Sequence, residues 1–524
     1  MTESPAEESA SQPEKVDLLQ DLTRQFSGFS KDVLIYGIGG AADKIIAIFT
    51  VPILTRIFSV ADFGTVDLIV TTVGFFSILM GLNLNSGMWR YFYEIDADDH
   101  EERKRLISST LWFLIGLGVP VTVGIILFSS QISQFLLKSD QYASVVSLAV
   151  LVIPFQLLYF FFIGIQRLMR RPINFLALNL GYVALNFSLI LLFLPGFKMG
   201  IEGVFLAQLC SYLVAMIIGL WLSRDMISLN LSGQWIKKMA AYSLPQMPGV
   251  IVNWFLVSSN RYFLNLYADV EQVGFLSAAN KIAQVLAMLA YAFRMAWDPF
   301  ALSAVHHPNA RKIYATGLQY FLAVTLFVGA GITIFAKEIL SVFTTSAYLP
   351  AVSLVGILVA RHILQGASNI VGISIAISKK TIFTSIALII AAGLNLLANL
   401  TLTAQYGVTG AALSELIGFL SGFIALYIIS YYVFPVPWNL SNVLTHFFAF
   451  TVVVFISLFI SQQDLYWVWE LISKLALYGG FVYFEVRTLE ESDRHIIQQM
   501  SRKSLELFKN LVKNKRFGQR AGKK

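Results

Sequence analysis

The sequence predicts an all-α, polytopic membrane protein with about 14 transmembrane helices, built as two six-helix repeats around a central cavity plus two further C-terminal helices. Three observations carry this. Of 524 residues, 56% are hydrophobic and 13% charged, where a soluble chain holds about 25% charged residues, and mean hydropathy is +0.69. Apolar stretches of bilayer-spanning length follow one another with short breaks. Finally, short motifs recur in order about 207 residues apart.

Residues 1–30 read as a polar, acidic cytoplasmic tail with no basic-then-apolar signal pattern. The expected spans lie near 33–55, 64–90, 106–129, 143–167, 173–194, 200–222, 240–264, 273–297, 313–336, 350–377, 381–402, 408–432, 442–461 and 466–485. Turn chemistry marks the breaks, as in RRP at 170–172, LPGFKMG at 194–200 and VFPVPWN at 433–439. The units are an N-terminal half (31–223), a linker (224–239), a C-terminal half (240–433), two added helices (434–486) and a basic tail (487–524). That tail carries 11 Lys or Arg against 4 acids, which equals the whole net charge of +7. The basic balance therefore describes a tail drawn to anionic lipid and gives no case for nucleic acid. Its apolar stripe, including Ile496, Met500, Phe508 and Leu511, fits an in-plane amphipathic helix.

Alternate loops are basic: Arg103 to Arg105, then Arg170 and Arg171, then Lys237 and Lys238, then Arg311 and Lys312, then Lys379 and Lys380. The positive-inside rule puts these loops and both termini in the cytoplasm. The repeat pairs LTRIFSVADFG at 54–64 with LNLYADVEQVG at 264–274. It also pairs GIEGVFLAQL at 200–209 with GVTGAALSEL at 407–416, and Leu185–Asn186 with Leu394–Asn395. Six helices return the chain to its starting side, so the copies are parallel, with their axis along the membrane normal and the cavity between them.

Ionisable residues inside apolar helices are functional candidates because charge is expensive at that depth. The cations are Lys44, Arg261, Lys281 and Arg361 within helices, with Arg90 and Arg294 near cytoplasmic ends. Several cationic donors suit a phosphate-bearing anion; snorkelling anchors are the alternative for Arg90 and Arg294. Asp43 matches Asn253 in the repeat, and both are candidates for ion coupling or for neutralising a neighbouring cation. Asn395, Asn399 and Glu415 suggest an oxygen-lined cation site, or else hydrogen bonding between helices. Asp67 and Asp298 read as caps or surface charges. Cys210 is the single cysteine, no P-loop pattern occurs, and His306 and His307 are adjacent in a loop, unlike helical metal ligands. No cofactor is expected beyond Na⁺ or H⁺ as coupling ion.

The first segment with its continuation, KDVLIYGIGGAADKIIAIFTVPILTRIFSVADFG (31–64), and the GxxG motifs GIEG (200–203) and GVTG (407–410) resemble the polysaccharide-type flippases. That superfamily also holds lipid II flippases and multidrug and toxin extrusion transporters. The resemblance spans most of 31–432 and implies alternating-access transfer of an undecaprenyl-diphosphate-linked oligosaccharide across the bacterial cytoplasmic membrane, for surface polysaccharide such as O-antigen. Polysaccharide polymerase machinery is an implied partner. A cation-coupled multidrug exporter is the alternative on the same architecture. A membrane polysaccharide polymerase or ligase is a third reading, with no large outward loop or reactive carboxylate set to carry it.

Overall fold

The computed structural model describes residues 49–463 and 466–488. The described residues are helical with no strand. The tails, and the expectations for Asp43 and Lys44, lie outside them.

The first described helix, α1 (49–57), leads into α2 (Val60–Gly81). Ser59 caps α2 by accepting from Asp62 N–H, while the Asp62 carboxylate accepts from Ser59 N–H. The second expected span is not one helix. Leu82 and Asn83 take left-handed backbone (φ 46° and 53°), so the chain turns and restarts as α3 (Leu84–Glu94). Next come α4 (His100–Leu127), α5 (Ser129–Leu137), α6 (Ala143–Leu168), α7 (Pro172–Leu191) and α8 (Ile201–Leu222). The linker forms α9 (Gly233–Ser243). The second half runs through α10 (Met247–Tyr267), α11 (Val270–Ser303), α12 (Ala310–Ile334), α13 (Ala336–Phe343), α14 (Val352–Ile377), α15 (Ile382–Ala398) and α16 (Ala404–Val433). The added pair is α17 (Leu440–Gln462) and α18 (Trp467–Thr488). Among the described residues 10 stretches are long and apolar enough to cross a membrane, and the chain is a multi-pass membrane protein.

The repeat is present as matched element starts. Val60 and Val270 open α2 and α11, and His100 and Ala310 open α4 and α12. Ser129 and Ala336 open α5 and α13, and Pro172 and Ile382 open α7 and α15. Both copies widen into a π-turn at the same place, at 192–196 and 399–403. Gly407 follows the second turn with φ +55°, a backbone state for which only glycine is unstrained. The chain kinks there, and the freed Val408 N–H donates to Gln272 Oε1 at 2.8 Å.

α2 forms the seam between the halves. Gly64 and Gly274 let α2 and α11 touch backbone to backbone; a Cβ on Gly64 would collide with the Val270 carbonyl, and one on Gly274 with that of Val60. Farther along, Thr72 and Tyr262 hydroxyls meet at 2.9 Å, and Phe75 packs on Trp254 with centroids 4.7 Å apart. α18 is tied to the second half by Lys474, fully buried, which donates to Glu338 at 2.6 Å and Glu470 at 2.8 Å. The end of the bundle bearing Arg103, Arg171, Lys238 and Lys380 is called the basic end below.

Candidate functional site

Each half contains an interior cavity, and the two lie at opposite depths. The first, about 330 Å³, is walled by α1, α2, α6, α7 and α8 and closed by α11 from the other half. It sits in the part of the bundle away from the basic end. Its polar lining is Asp67, Asn186, Gln208, Ser277 and Lys281, and Tyr159, Tyr182 and Tyr212 supply aromatic surface. The second, about 530 Å³, is walled by α10, α11, α14, α15 and α16 and lies toward the basic end. It is lined by Asn253, Arg294, Asp298, Gln365 and Asn369, with Phe419 on the apolar side. Repeat-equivalent helices thus build both cavities.

Lys281 is half-buried, roughly 17 Å along α11 from its start at 1.5 Å per residue. Among the described residues no carboxylate oxygen comes within 4.0 Å of it.

Arg261 and Arg361 differ from the expectation of cations lining a vestibule. Arg261 Nε donates to Asp67 Oδ2 at 2.5 Å, with about 10% of each side chain exposed. This pair crosses the seam from α10 to α2. Asp67 is therefore a buried ion-pair partner, where the sequence suggested a cap or surface charge. The capping box at Ser59 and Asp62 is the signal that corrects it, because it starts α2 at Val60 and leaves Asp67 two turns inside. Arg361 Nη2 donates to Glu415 Oε1 at 2.6 Å, with 3% of each side chain exposed. Its guanidinium also lies 4.5 Å from the Phe419 ring centroid.

Around Glu415 the polar groups answer one another. Asn260 Nδ2 donates to Glu415 Oε2 at 3.1 Å, and Asn399 Nδ2 donates to Asn260 Oδ1 at 2.7 Å. Asn395 Nδ2 donates to the Ser414 carbonyl at 2.9 Å, and Asn395 Oδ1 accepts from Ser259 at 3.2 Å. The oxygens expected to line a cation site on Asn395, Asn399 and Glu415 are thus engaged by protein donors. Among the described residues no cluster of His, Cys, Asp and Glu has metal-site form.

Arg90 and Arg294 lie toward the basic end, each in an i,i+4 pair, with Glu94 at 3.0 Å and Asp298 at 3.1 Å. Both are about half exposed. Arg294 lines the second cavity; Arg90 instead stacks on Tyr242, 4.5 Å from the ring centroid. Asn253 is exposed on the wall of the second cavity. Sequence reasoning missed the three tyrosines and Gln208, whose mid-helix positions were the available signal.

Three comparisons bear on this arrangement. The family model described as "Polysaccharide biosynthesis protein" matches residues 29–304, more than half of the chain. The succinoglycan biosynthesis transport protein ExoT of Rhizobium meliloti (strain 1021) is 28% identical over 248 residues, covering 45% of this chain and 46% of that protein. The match thus spans about half the length of that relative. In fold, the chain is similar to the lipid II flippase MurJ in an inward closed conformation, with TM-score 0.67, 14% identity, and 87% and 99% of the two chains covered. It is also similar to an inward-facing multidrug resistance transporter of the MATE family, with TM-score 0.55, 18% identity and coverage of 74% and 97%.

Proposed function

As this chain belongs to the polysaccharide biosynthesis protein family, we propose that it is a flippase for an undecaprenyl-diphosphate-linked oligosaccharide. It moves this lipid from the cytoplasmic to the outer leaflet of a bacterial inner membrane. The basic end faces the cytoplasm, with both termini on that side. The halves rock about the α2 seam, exposing the interior to each leaflet in turn.

The observation that carries this reading is Lys281, a membrane-depth lysine facing a cavity with no ion pair among the described residues. A half-buried ammonium at membrane depth with no carboxylate in contact is costly. A diphosphate would relieve that cost and gain charge-assisted hydrogen bonds. Arg294 and Arg90 serve the same headgroup nearer the cytoplasmic mouth, and Lys44, which lies outside the described residues, is assigned to the same role. The carboxylates on the two cavity walls, Asp67 and Asp298, each carry an arginine partner. That pairing favours an anionic substrate over a cationic drug. Na⁺ or H⁺ coupling is assigned to Asp43 and Asn253.

The test is Lys281→Met, alone and with Arg294→Gln, expressed in a strain lacking the transporter. With insertion unchanged, surface polysaccharide should fall at least about tenfold, the loss of roughly one charge-assisted contact. Undiminished surface polysaccharide in the double variant overturns the reading.

A further inference from the structure

We propose that the cavity of the first half is a pyranose-binding subsite, taking one sugar ring of the transported glycan against Tyr182. The proposal rests on the flippase reading and adds to it which part of the substrate this half receives.

Tyr159, Tyr182 and Tyr212 come from α6, α7 and α8. Their centroids lie 4.8, 5.4 and 4.4 Å apart, and Tyr182 and Tyr212 are within 18° of parallel. One face of a pyranose presents C–H bonds that are slightly positive, while an aromatic face is negative. Tyr182 and Tyr212 cover one face of each other, so Tyr182, the least buried of the three, offers the ring surface a sugar packs on, with Tyr159 and Tyr212 backing it. The hydroxyls at the sugar rim need amide partners. Asn186 lies four residues after Tyr182 on α7, and Gln208 four residues before Tyr212 on α8, so each helix puts an amide and a phenol on one face. The Asn186 Nδ2 is shielded from solvent and has no hydrogen-bond partner among the described residues, which is costly unless a ligand oxygen accepts from it. A volume of about 330 Å³ is at the low end for small-molecule pockets, room for one ring beside the phosphate that Lys281 meets in the same cavity.

The repeat adds an internal control. The sequence match that aligns Leu185–Asn186 with Leu394–Asn395 pairs Asn186 with Asn395, and the match at 200–209 pairs Gln208 with Glu415. In the second half these positions are saturated by Ser259, Asn260 and Arg361. Ala391 and Ala392 stand where Tyr182 would fall. The same two positions thus face a cavity in one half and a filled network in the other.

The experiment uses the full chain in lipid nanodiscs and saturation-transfer difference NMR with methyl glycosides of common hexopyranoses. Saturation should concentrate on the C–H protons of one sugar face. Tyr182→Leu and Asn186→Leu should weaken the apparent affinity about 5- to 10-fold, while Tyr182→Phe keeps it within about twofold. No saturation on any hexopyranoside, or saturation untouched by Tyr182→Leu, overturns the subsite. Binding of farnesyl diphosphate is measured on the same samples. If it persists while sugar binding fails, the flippase reading stands and the subsite falls. If it fails while sugar binding persists and depends on Tyr182, the subsite stands and the diphosphate assignment falls.

Discussion

At matching depth the two halves are built from the same helices and filled in opposite ways. Asn186 and Gln208 border a space; Asn395 and Glu415 sit at 0% and 3% exposure in a dense network of hydrogen bonds. The difference traces to a few residues. Arg361 and Asn260 occupy the second half's interior, and among the described residues no guanidinium lines the equivalent room in the first. A duplicated scaffold can therefore keep its helix packing while one copy specialises in rigidity and the other in binding. Buried polar networks stiffen as their members are satisfied; the Glu415 carboxylate has a donor on each oxygen, while Arg361 Nε has no partner among the described residues.

The most forceful way to break this comparison is to make the same change in both halves. Glu415→Ala strands the Arg361 charge and should lower the unfolding free energy by about 3–5 kcal/mol. Gln208→Ala, at the aligned position, should cost less than about 1 kcal/mol. Denaturant titration of the purified protein reads both, and equal losses would mean that the halves do not differ in rigidity. The seam is next. Asp67→Asn removes the partner of Arg261 and should cost about 2–3 kcal/mol, with faster labelling of a cysteine introduced at Thr72. Unchanged labelling would deny Asp67 a part in holding the halves together. Gly274→Ala should cost about 1–3 kcal/mol through overpacking against Val60, whereas Gly233→Ala, with open space around its Cβ, should be neutral in the same assay.

The smallest effect belongs to the surface. Arg171 donates to Asp225 at 2.5 Å, and this hydrogen bond, ahead of the accompanying charge attraction, holds the Asp225 carboxyl below its ordinary value of 3.8. A carboxyl lowered on folding stabilises the protein above its unfolded pKa. It loses that contribution as pH falls from about 3.8 through the lower folded value. Asp225→Asn should therefore cost less than about 1 kcal/mol at pH 7, and its difference from the native chain should shrink in melting curves as pH falls below about 3.8.

Hydropathy and turn chemistry made the helices legible, and faint repeated motifs made the two halves legible, because both signals are local or periodic. Partners across helices were not legible. Lys281 and Arg361 look alike in sequence, each a cation in mid-helix, yet one faces a cavity and the other meets Glu415. What separates them is a residue 54 positions from Arg361 in the chain, and periodicity does not report such distances. The aromatic cavity was hidden for a related reason. Its tyrosines lie on three helices and mean nothing singly.

Lys474 carries a consequence for how this molecule is made. During synthesis α18 is the last described helix to leave the ribosome, and it brings a lysine eight residues into an apolar stretch. Insertion of such a residue alone costs about 2.5–3.5 kcal/mol. Its acceptor Glu338, like the neighbouring Lys337 that pairs with Glu470, was laid down more than a hundred residues earlier. Until the two meet, the nascent chain exposes charge to lipid at both places. Docking of α18 then works as a completion check, because it leaves Lys474 fully buried against Glu338 and Glu470.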